Sequence, residues 1–252
     1  VAQVCPHCRS RRIKYFGLGT QRVVETVREL FPQARVVRWD RDTANRRGSH
    51  EELLRQFVEH EADVMVGTQM IAKGLDLPLV TVVGVISADT GLNLPDLRAA
   101  ERTFQLLTQV AGRAGRSPLG GRVVVQTYTP DHYAVRAAAR HDYAAFLARE
   151  LAFRREHGYP PFGRLVRLTC ADEDPARARQ MAKDLAALLQ DEIRGQGLAD
   201  LDLVGPAPCP LERLRSQYRW QIIVRGRDPL PLVQQVPIPR GWRVDVDPVS
   251  FM

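Results

Sequence analysis

Long hydrophobic runs are missing from this 252-residue chain. No stretch approaches the roughly 18 apolar residues that a membrane-spanning helix requires. No N-terminal segment joins charged, apolar and small-residue regions as a signal peptide does, so the expected location is the cytoplasm. Cysteine is scarce, with 4 residues, of which only Cys5 and Cys8 are neighbours; a disulfide-built extracellular scaffold is excluded. Lysine is scarcer still, confined to Lys14, Lys73 and Lys183. Nowhere does the chain contain Gly-x-x-x-x-Gly-Lys-[Ser/Thr], so a backbone loop that cradles phosphates has no candidate in it. The first residue is Val1, almost on top of the Cys pair, and the chain reads as a piece of something longer.

What is present suffices for a core. Hydrophobic residues make up 44% of the chain, and the length fits one large domain or two smaller ones. The formal net charge is +7 and the pI about 9.6. That balance points to polyanions, nucleic acid first, although a basic surface kept for solubility fits it equally. The basic residues are nearly all Arg, whose planar fork suits phosphate oxygens.

Two patterns divide the chain. Over residues 16–130, helical and strand patterns alternate. Residues 20–31, 49–60 and 97–111 read as helices; Ser49 stands at an N-cap position, with Glu52 three residues on. Residues 35–39, 63–67, 80–86 and 122–128 read as strands, the β-branched 80–86 run as one covered on both faces. The alternation predicts an α/β layer with a parallel sheet. One long Ala-rich helix is expected over 132–157, stopped by Gly158-Tyr159-Pro160-Pro161. Beyond it a strand (165–170), a helix (175–193), a Pro-rich connection (205–210), a strand (220–224), a short helix (229–236) and a last strand (242–247) suggest a small α+β domain with an antiparallel sheet.

The densest chemistry lies in Gln109-Val110-Ala111-Gly112-Arg113-Ala114-Gly115-Arg116, which closes a helical pattern ahead of a strand. Arg113 and Arg116, three apart at a helix end, share one face. Such a pair can reach phosphate oxygens of a nucleotide held elsewhere and stabilise charge on a transferring phosphoryl group. Two solvated Arg that favour the helix dipole are the plainer alternative. Earlier, Gly67-Thr68-Gln69-Met70-Ile71-Ala72-Lys73-Gly74-Leu75-Asp76 follows a short strand. Loops at strand C-terminal ends are where ligands collect in open α/β sheets.

These two stretches resemble, in order and spacing, motifs VI and V of superfamily 2 helicases. Other stretches narrow the resemblance to replication-restart DNA helicases of the PriA type: Gly17-Leu18-Gly19-Thr20, Arg41-Asp42-Thr43, Ala88-Asp89, Asp96-Leu97-Arg98-Ala99-Ala100-Glu101-Arg102, Pro160-Pro161-Phe162, Val204-Gly205-Pro206, Tyr218-Arg219-Trp220-Gln221 and Asp245-Val246-Asp247-Pro248. The resemblance covers essentially the whole chain. It implies the end of a zinc-binding insertion at 1–14, a second RecA-like helicase lobe at 15–157, and a DNA- and partner-binding domain at 158–252. It implies ATP-driven 3′ to 5′ unwinding at stalled forks and primosome assembly, with ATP and Mg²⁺ held mainly by a first lobe that is not in this chain. On its own, then, this chain is expected not to hydrolyse ATP. The other function considered is a non-motor, fork-binding primosome loader.

The resemblance also distributes roles. Arg113, Arg116 and Gln109 are catalytic; Gly74, Asp76 and Gly112 couple ATP to movement; Thr68, Gln69 and Lys73 meet DNA. Cys5 and Cys8 look like the last Cys-x-x-Cys of a zinc insertion, two ligands where a tetrahedral Zn²⁺ site needs four. Arg215, Arg219, Trp220 and Gln221 correspond to a pocket for the acidic, Phe-ending tail of single-stranded DNA-binding protein, a carboxylate ligand suited to Arg. Gln217 departs from the family pattern, which has Arg there. Further implied partners are forked and single-stranded DNA and primosome loading proteins, with no membrane. Asp245 and Asp247 share a strand face with Arg243 and read as structural salt-bridge partners; Cys170 and Cys209 read as core or loop thiols.

Overall fold

The computed structural model describes Val4 and residues 19–40, 49–68, 80–114 and 120–251. They form two compact units, one reaching to Val80 and including Gly120, the other comprising the rest.

In the first unit α1 (Thr20–Leu30) precedes β1 (Val36–Trp39), and α2 (Ser49–Val58) precedes β2 (Val64–Gly67). β1 and β2 pair in parallel, Val36 opposite Val64 and Trp39 opposite Gly67. Val24, Val37, Trp39, Ala62 and Val66 are buried. Asp40, also buried, accepts a hydrogen bond from Thr20 and an ion pair from Arg38 Nε at 2.9 Å, which ties the start of α1 to the end of β1. Asp63 takes Arg35 in a forked pair, Nε at 3.0 Å and Nη2 at 2.7 Å. The expected capping partner of Ser49, Glu52, turns its carboxylate forward to Arg55 and Gln56.

The second unit opens with β3 (Val82–Val85), α3 (Asp89–Leu92), α4 (Ala99–Ala114) and β4 (Arg122–Val125). β3 and β4 pair in parallel from Val82 opposite Arg122 to Val85 opposite Val125. The helical stripe Thr103, Leu107, Val110 and Ala114 is buried, the i, i+4, i+7, i+11 spacing of one helix face. Two helices follow, α5 (Tyr133–Ala139) and α6 (Tyr143–Glu156). Sequence pattern favours a single helix here, and the structure breaks it. His141 takes a φ of 52°, and the Asp142 side chain caps the new helix by accepting from the Ala145 N–H at 2.8 Å. A local carboxylate cap outcompetes Ala propensity at that point. Phe104 and Phe146 stack with centroids 4.2 Å apart, joining α4 to α6.

The unit continues with β5 (Arg164–Asp172), α7 (Pro175–Gly195), β6 (Leu201–Leu214), β7 (Gln217–Gly226), α8 (Leu230–Gln235) and β8 (Arg243–Val246). The four strands make an antiparallel sheet in the order β6-β7-β5-β8. Asp174 caps α7 and Pro175 starts it, the preferred chemistry for a helix N-terminus. Leu185, Leu189 and Ile193 of α7 pack on Val166, Leu168, Ile222 and Val224. Each unit thus carries an α/β arrangement with a parallel strand pair, and in the second an antiparallel α+β sheet follows. One element corrects the sequence reading: residues 205–210 are strand, within β6, and not a connection. Pro206, Pro208 and Pro210 are tolerated because β6 lies at the sheet edge, where a missing N–H costs no ladder bond. The register slips at Pro206, between Val204 and Ala207, and at Pro210, between Pro208 and Arg213.

Candidate functional site

α4 presents two faces of opposite character. One is the buried stripe; the other is lined by Gln105, Gln109 and Gly112, all exposed. The motif therefore sits on the open side of a helix whose closed side fixes it to the core. Arg113 follows Gln109 by one turn near the end of α4; its side chain lies outside the described atoms, and Arg116 lies outside the described residues. Thr68 is exposed, directly after the last residue of β2. Gln69, Lys73, Gly74, Asp76, Cys5 and Cys8 also lie outside the described residues. Among the described residues no group of three or more His, Cys, Asp or Glu is placed to hold a metal.

The first turns of α4 and the stretch before it carry charges that sequence reasoning named only by resemblance. Asp96 is buried, and its carboxylate accepts from the Arg98 N–H (2.9 Å), Arg102 Nη1 (3.2 Å), Ser250 Oγ (2.7 Å) and the Phe251 N–H (3.1 Å). Burial alone would raise its pKa; those donors outweigh burial and hold it below the usual carboxylate value. Asp89, at the start of α3, accepts from Thr127 Oγ1 (3.0 Å), Thr129 Oγ1 (3.2 Å) and the Tyr128 N–H (3.1 Å), fastening the segment after β4. Glu150 is buried on α6 between the Tyr133 hydroxyl, which donates at 2.6 Å, and Arg154 Nε at 2.8 Å. Arg154 Nη2 reaches on to Glu101 of α4 at 2.7 Å. Glu150 and Arg154 went unnoticed in the sequence. Their signal was a Glu–Arg pair four apart, one turn beyond Phe146 on an Ala-rich helix that also carries Arg149, Arg155 and Glu156.

In the sheet, the proposed partner residues divide. Alternation along β7 puts Tyr218 and Trp220 on the same face as buried Ile222 and Val224, covered by α7. Arg219 and Gln221 point to the opposite face, Gln221 opposite Thr169 of β5 and Ala207 of β6. The Gln221 Oε1 is buried there without a hydrogen-bond partner. Arg215 stands apart, exposed in the β6–β7 turn, where it and Ser216 take positive φ values of 51° and 67°. Arg213 lies over the Tyr218 ring, 5.4 Å from its centroid. Arg219 and Gln221 thus share one face, Trp220 occupies the other, and Arg215 belongs to the hairpin tip. Asp247 pairs with Arg164 at 2.8 Å, where the sequence pointed to Arg243, and accepts from the Leu165 N–H at 3.1 Å. It stands just past β8, and Arg164 is the first residue of the neighbouring strand. Cys170 and Cys209 are both buried, and burial pushes the Cys170 thiol up to about 11. No helix among the described residues is long and apolar enough to cross a membrane.

Comparison with known proteins agrees with this architecture. Residues 11–118 match the helicase conserved C-terminal domain, and residues 155–249 match the primosomal protein N C-terminal domain. The replication restart protein PriA of Bacillus subtilis is 48% identical over 225 residues, 89% of this chain and 28% of that protein. The PriA proteins of Synechocystis and Treponema pallidum are each 42% identical, over 99% and 98% of this chain and 30% and 38% of their own lengths. The chain thus spans about a third of the relatives it matches. With both halves matched in order and identity at this level across nearly its whole length, the chain belongs to the PriA family of replication restart proteins and corresponds to the C-terminal part of its members.

Proposed function

We propose that this chain is the C-terminal half of an ATP-dependent 3′–5′ DNA helicase that restarts stalled replication forks and assembles the primosome. The observation that carries the reading is the motif face of α4: Gln109 and Gly112 are exposed while Thr103, Leu107, Val110 and Ala114 anchor the helix. In this reading Arg113 and Arg116 meet the γ-phosphate of an ATP whose β- and γ-phosphates and Mg²⁺ are held by a separate lobe. Gln109, Gly112, Gly74 and Asp76 relay its hydrolysis, and Thr68, Gln69 and Lys73 contact the DNA backbone. Lacking a phosphate-binding loop, the chain on its own binds DNA and partners and does not turn over ATP.

Further parts of the proposal concern ligands. Cys5 and Cys8 contribute two thiolates to a Zn²⁺ site completed by residues outside this sequence. Arg219 and Gln221, with Arg215 at the hairpin tip and Trp220 bracing β7, receive the acidic tail of single-stranded DNA-binding protein. The unpaired Oε1 of Gln221 is an acceptor, which a backbone N–H of the peptide rather than its carboxylates would satisfy. The place of action is the cytoplasm, at the nucleoid, with forked and single-stranded DNA and primosome loading proteins as partners.

The test uses the full-length protein that contains this chain. Arg113→Ala and Arg116→Ala are each expected to cut DNA-stimulated ATPase by about 10³-fold, the scale known for arginines that stabilise a transferring phosphoryl group. Wild-type turnover in both would end the motor reading. Absence of ATPase in the unmutated protein, with fork binding and loading intact, would favour the non-motor loader. A fluorescent peptide of the acidic tail should bind at least ten times more weakly to Arg219→Ala.

A further inference from the structure

Three polar ties converge on the start of α4. The first is the Asp96 carboxylate, whose side chain has no solvent exposure and which joins Arg102 to Ser250 and Phe251. The second is Arg102 Nη2, which donates to the Val249 carbonyl at 3.0 Å. The third is Glu101, which accepts Arg154 Nη2; Nη1 of the same guanidinium reaches the Pro160 carbonyl, 3.3 Å away, just before β5. The segment 249–251 is in turn held by the sheet. The Ser250 carbonyl accepts from Arg167 Nη1 at 3.4 Å, and the Arg167 guanidinium lies over the Phe251 ring at 5.8 Å. Arg167 itself is buried in β5, the strand that pairs with β8.

The polar grip on α4 thus acts at the helix start and centres on the buried Asp96 carboxylate, while the apolar stripe holds the helix along its length. The other end carries Gln109, Gly112 and Arg113. A 16-residue helix is about 24 Å long, stiff enough that a small tilt at its start displaces its finish. Apolar packing would give stability at least as well as a buried ion cluster. What the cluster adds is a single orientation, because each of its donors and acceptors has a fixed direction.

We propose that Asp96, Glu101 and Arg102 are positioning residues for the arginine-bearing end of α4, and that residues 249–251 are the strap through which the C-terminal sheet holds that helix. A load on the sheet, from DNA or a bound peptide, is thereby transmitted to the residues that meet the nucleotide. The proposal rests on the motor reading above, since aiming an arginine matters only where a nucleotide is sensed.

The experiment compares Ser250→Ala, Ser250→Thr, Asp96→Asn and Arg113→Ala in the full-length protein. Ser250→Ala and Asp96→Asn should lower the kcat of DNA-stimulated ATP hydrolysis by about 10- to 100-fold, the cost of a misplacement near 1 Å. The KM for DNA should stay within about twofold, and Ser250→Thr, which keeps the hydroxyl, should recover most of kcat. Hydrogen exchange should quicken at amides 107–114 of the Ser250→Ala protein and stay unchanged in α7. If kcat is at the wild-type level in both Ser250→Ala and Asp96→Asn while Arg113→Ala is inactive, the strap is refuted and the motor reading stands. Losses that follow a drop in unfolding temperature, with faster exchange in α7 as well, would reduce the cluster to a structural role and overturn the proposal. Full turnover in Arg113→Ala and, measured beside it, in Arg116→Ala would remove the motor reading, and this inference with it.

Discussion

Gly121 runs so close under the end of α4 that a Cβ on it would stand 1.7 Å from the Ala114 carbonyl oxygen and 2.8 Å from Ala114 Cα. Both obstacles are backbone, and Ala114 is 1% exposed, so neither side can step aside. Gly121→Ala should destabilise the protein by about 1–3 kcal/mol or more, as overpacking does. Gly84→Ala is the control: nothing lies within 4 Å of a Cβ there. Trading Gly for Ala in a strand should leave stability unchanged or slightly raised. Thermal unfolding of the two variants decides; equal melting temperatures would contradict the close approach.

Acid should unfold the protein over a defined window. Asp89, Asp96 and Asp247 all have lowered pKa values. In each, burial pushes upward and is outweighed, for Asp247 by the Leu165 N–H and the Arg164 guanidinium. Asp63 is held down to about 2, first by its bond from the Arg35 guanidinium. Groups with depressed folded-state values bind fewer protons folded than unfolded. Their stabilisation is complete above the unfolded carboxylate value near 4 and disappears as pH falls through the folded values. The melting temperature should hold from pH 7 to 5 and fall steeply from about 4 to 2. In Asp247→Asn, which tolerates the φ of 48° at that position, the fall should be shallower. A slope equal to wild type would detach Asp247 from the effect.

Legibility in the sequence followed how local the cause was. The strands at 36–39, 64–67, 82–85 and 122–125 announced themselves by short β-branched runs, and α7 by Asp174-Pro175 ahead of an apolar stripe. Residues 205–210 misled because proline argues against a ladder; only the position of β6 at the edge of the sheet makes strand possible, and that is a tertiary fact. The break at His141 was written in Asp142, but a single capping carboxylate is faint against a long Ala-rich run. For the candidate site, the motif singled out Gln109 and Gly112, and their exposure follows from the helical period. The Asp96–Ser250 contact joins residues 154 positions apart, and no local pattern encodes such a pairing. Strand alternation does place Arg219 and Gln221 on one face, but nothing local told that Arg215 sits at a hairpin tip.

The β6–β7 turn offers a gain of stability. Leu214 pairs with Gln217, leaving Arg215 and Ser216 as the two turn residues, both at positive φ. A two-residue hairpin turn of this sort prefers Gly, Asn or Asp, and a non-Gly residue there costs about 1–2 kcal/mol. Ser216→Gly should relieve part of that strain, offset by the added freedom of the unfolded chain. A net gain near 0.5–1 kcal/mol corresponds to a rise of about 1–4 °C for a chain of this size. Because Arg215 is retained, peptide and DNA binding should be unaffected. A lower melting temperature would show that the turn is not held in the left-handed region.

The Glu150–Arg154–Glu101 chain separates the worth of a buried ion pair from the cost of breaking it. Glu150 is 3% exposed, and its two oxygens are taken by Tyr133 and Arg154. Arg154→Ala strands a buried carboxylate and removes one of the partners of Glu101, so it should cost about 3–5 kcal/mol. Tyr133→Phe removes one donor and leaves the ion pair, and should cost about 1–2 kcal/mol. Replacing both ends, Glu150→Gln with Arg154→Met, keeps the volume and removes the orphaned charge. The double variant should therefore be more stable than Arg154→Met alone, and the cycle of Glu150→Gln, Arg154→Met and the pair should give a coupling energy of about 1–3 kcal/mol. Simple additivity of the single changes would mean that Glu150 gains nothing from its guanidinium. Glu101 would then be the residue that Arg154 serves, and its loss from α4, rather than the burial of Glu150, would account for the damage.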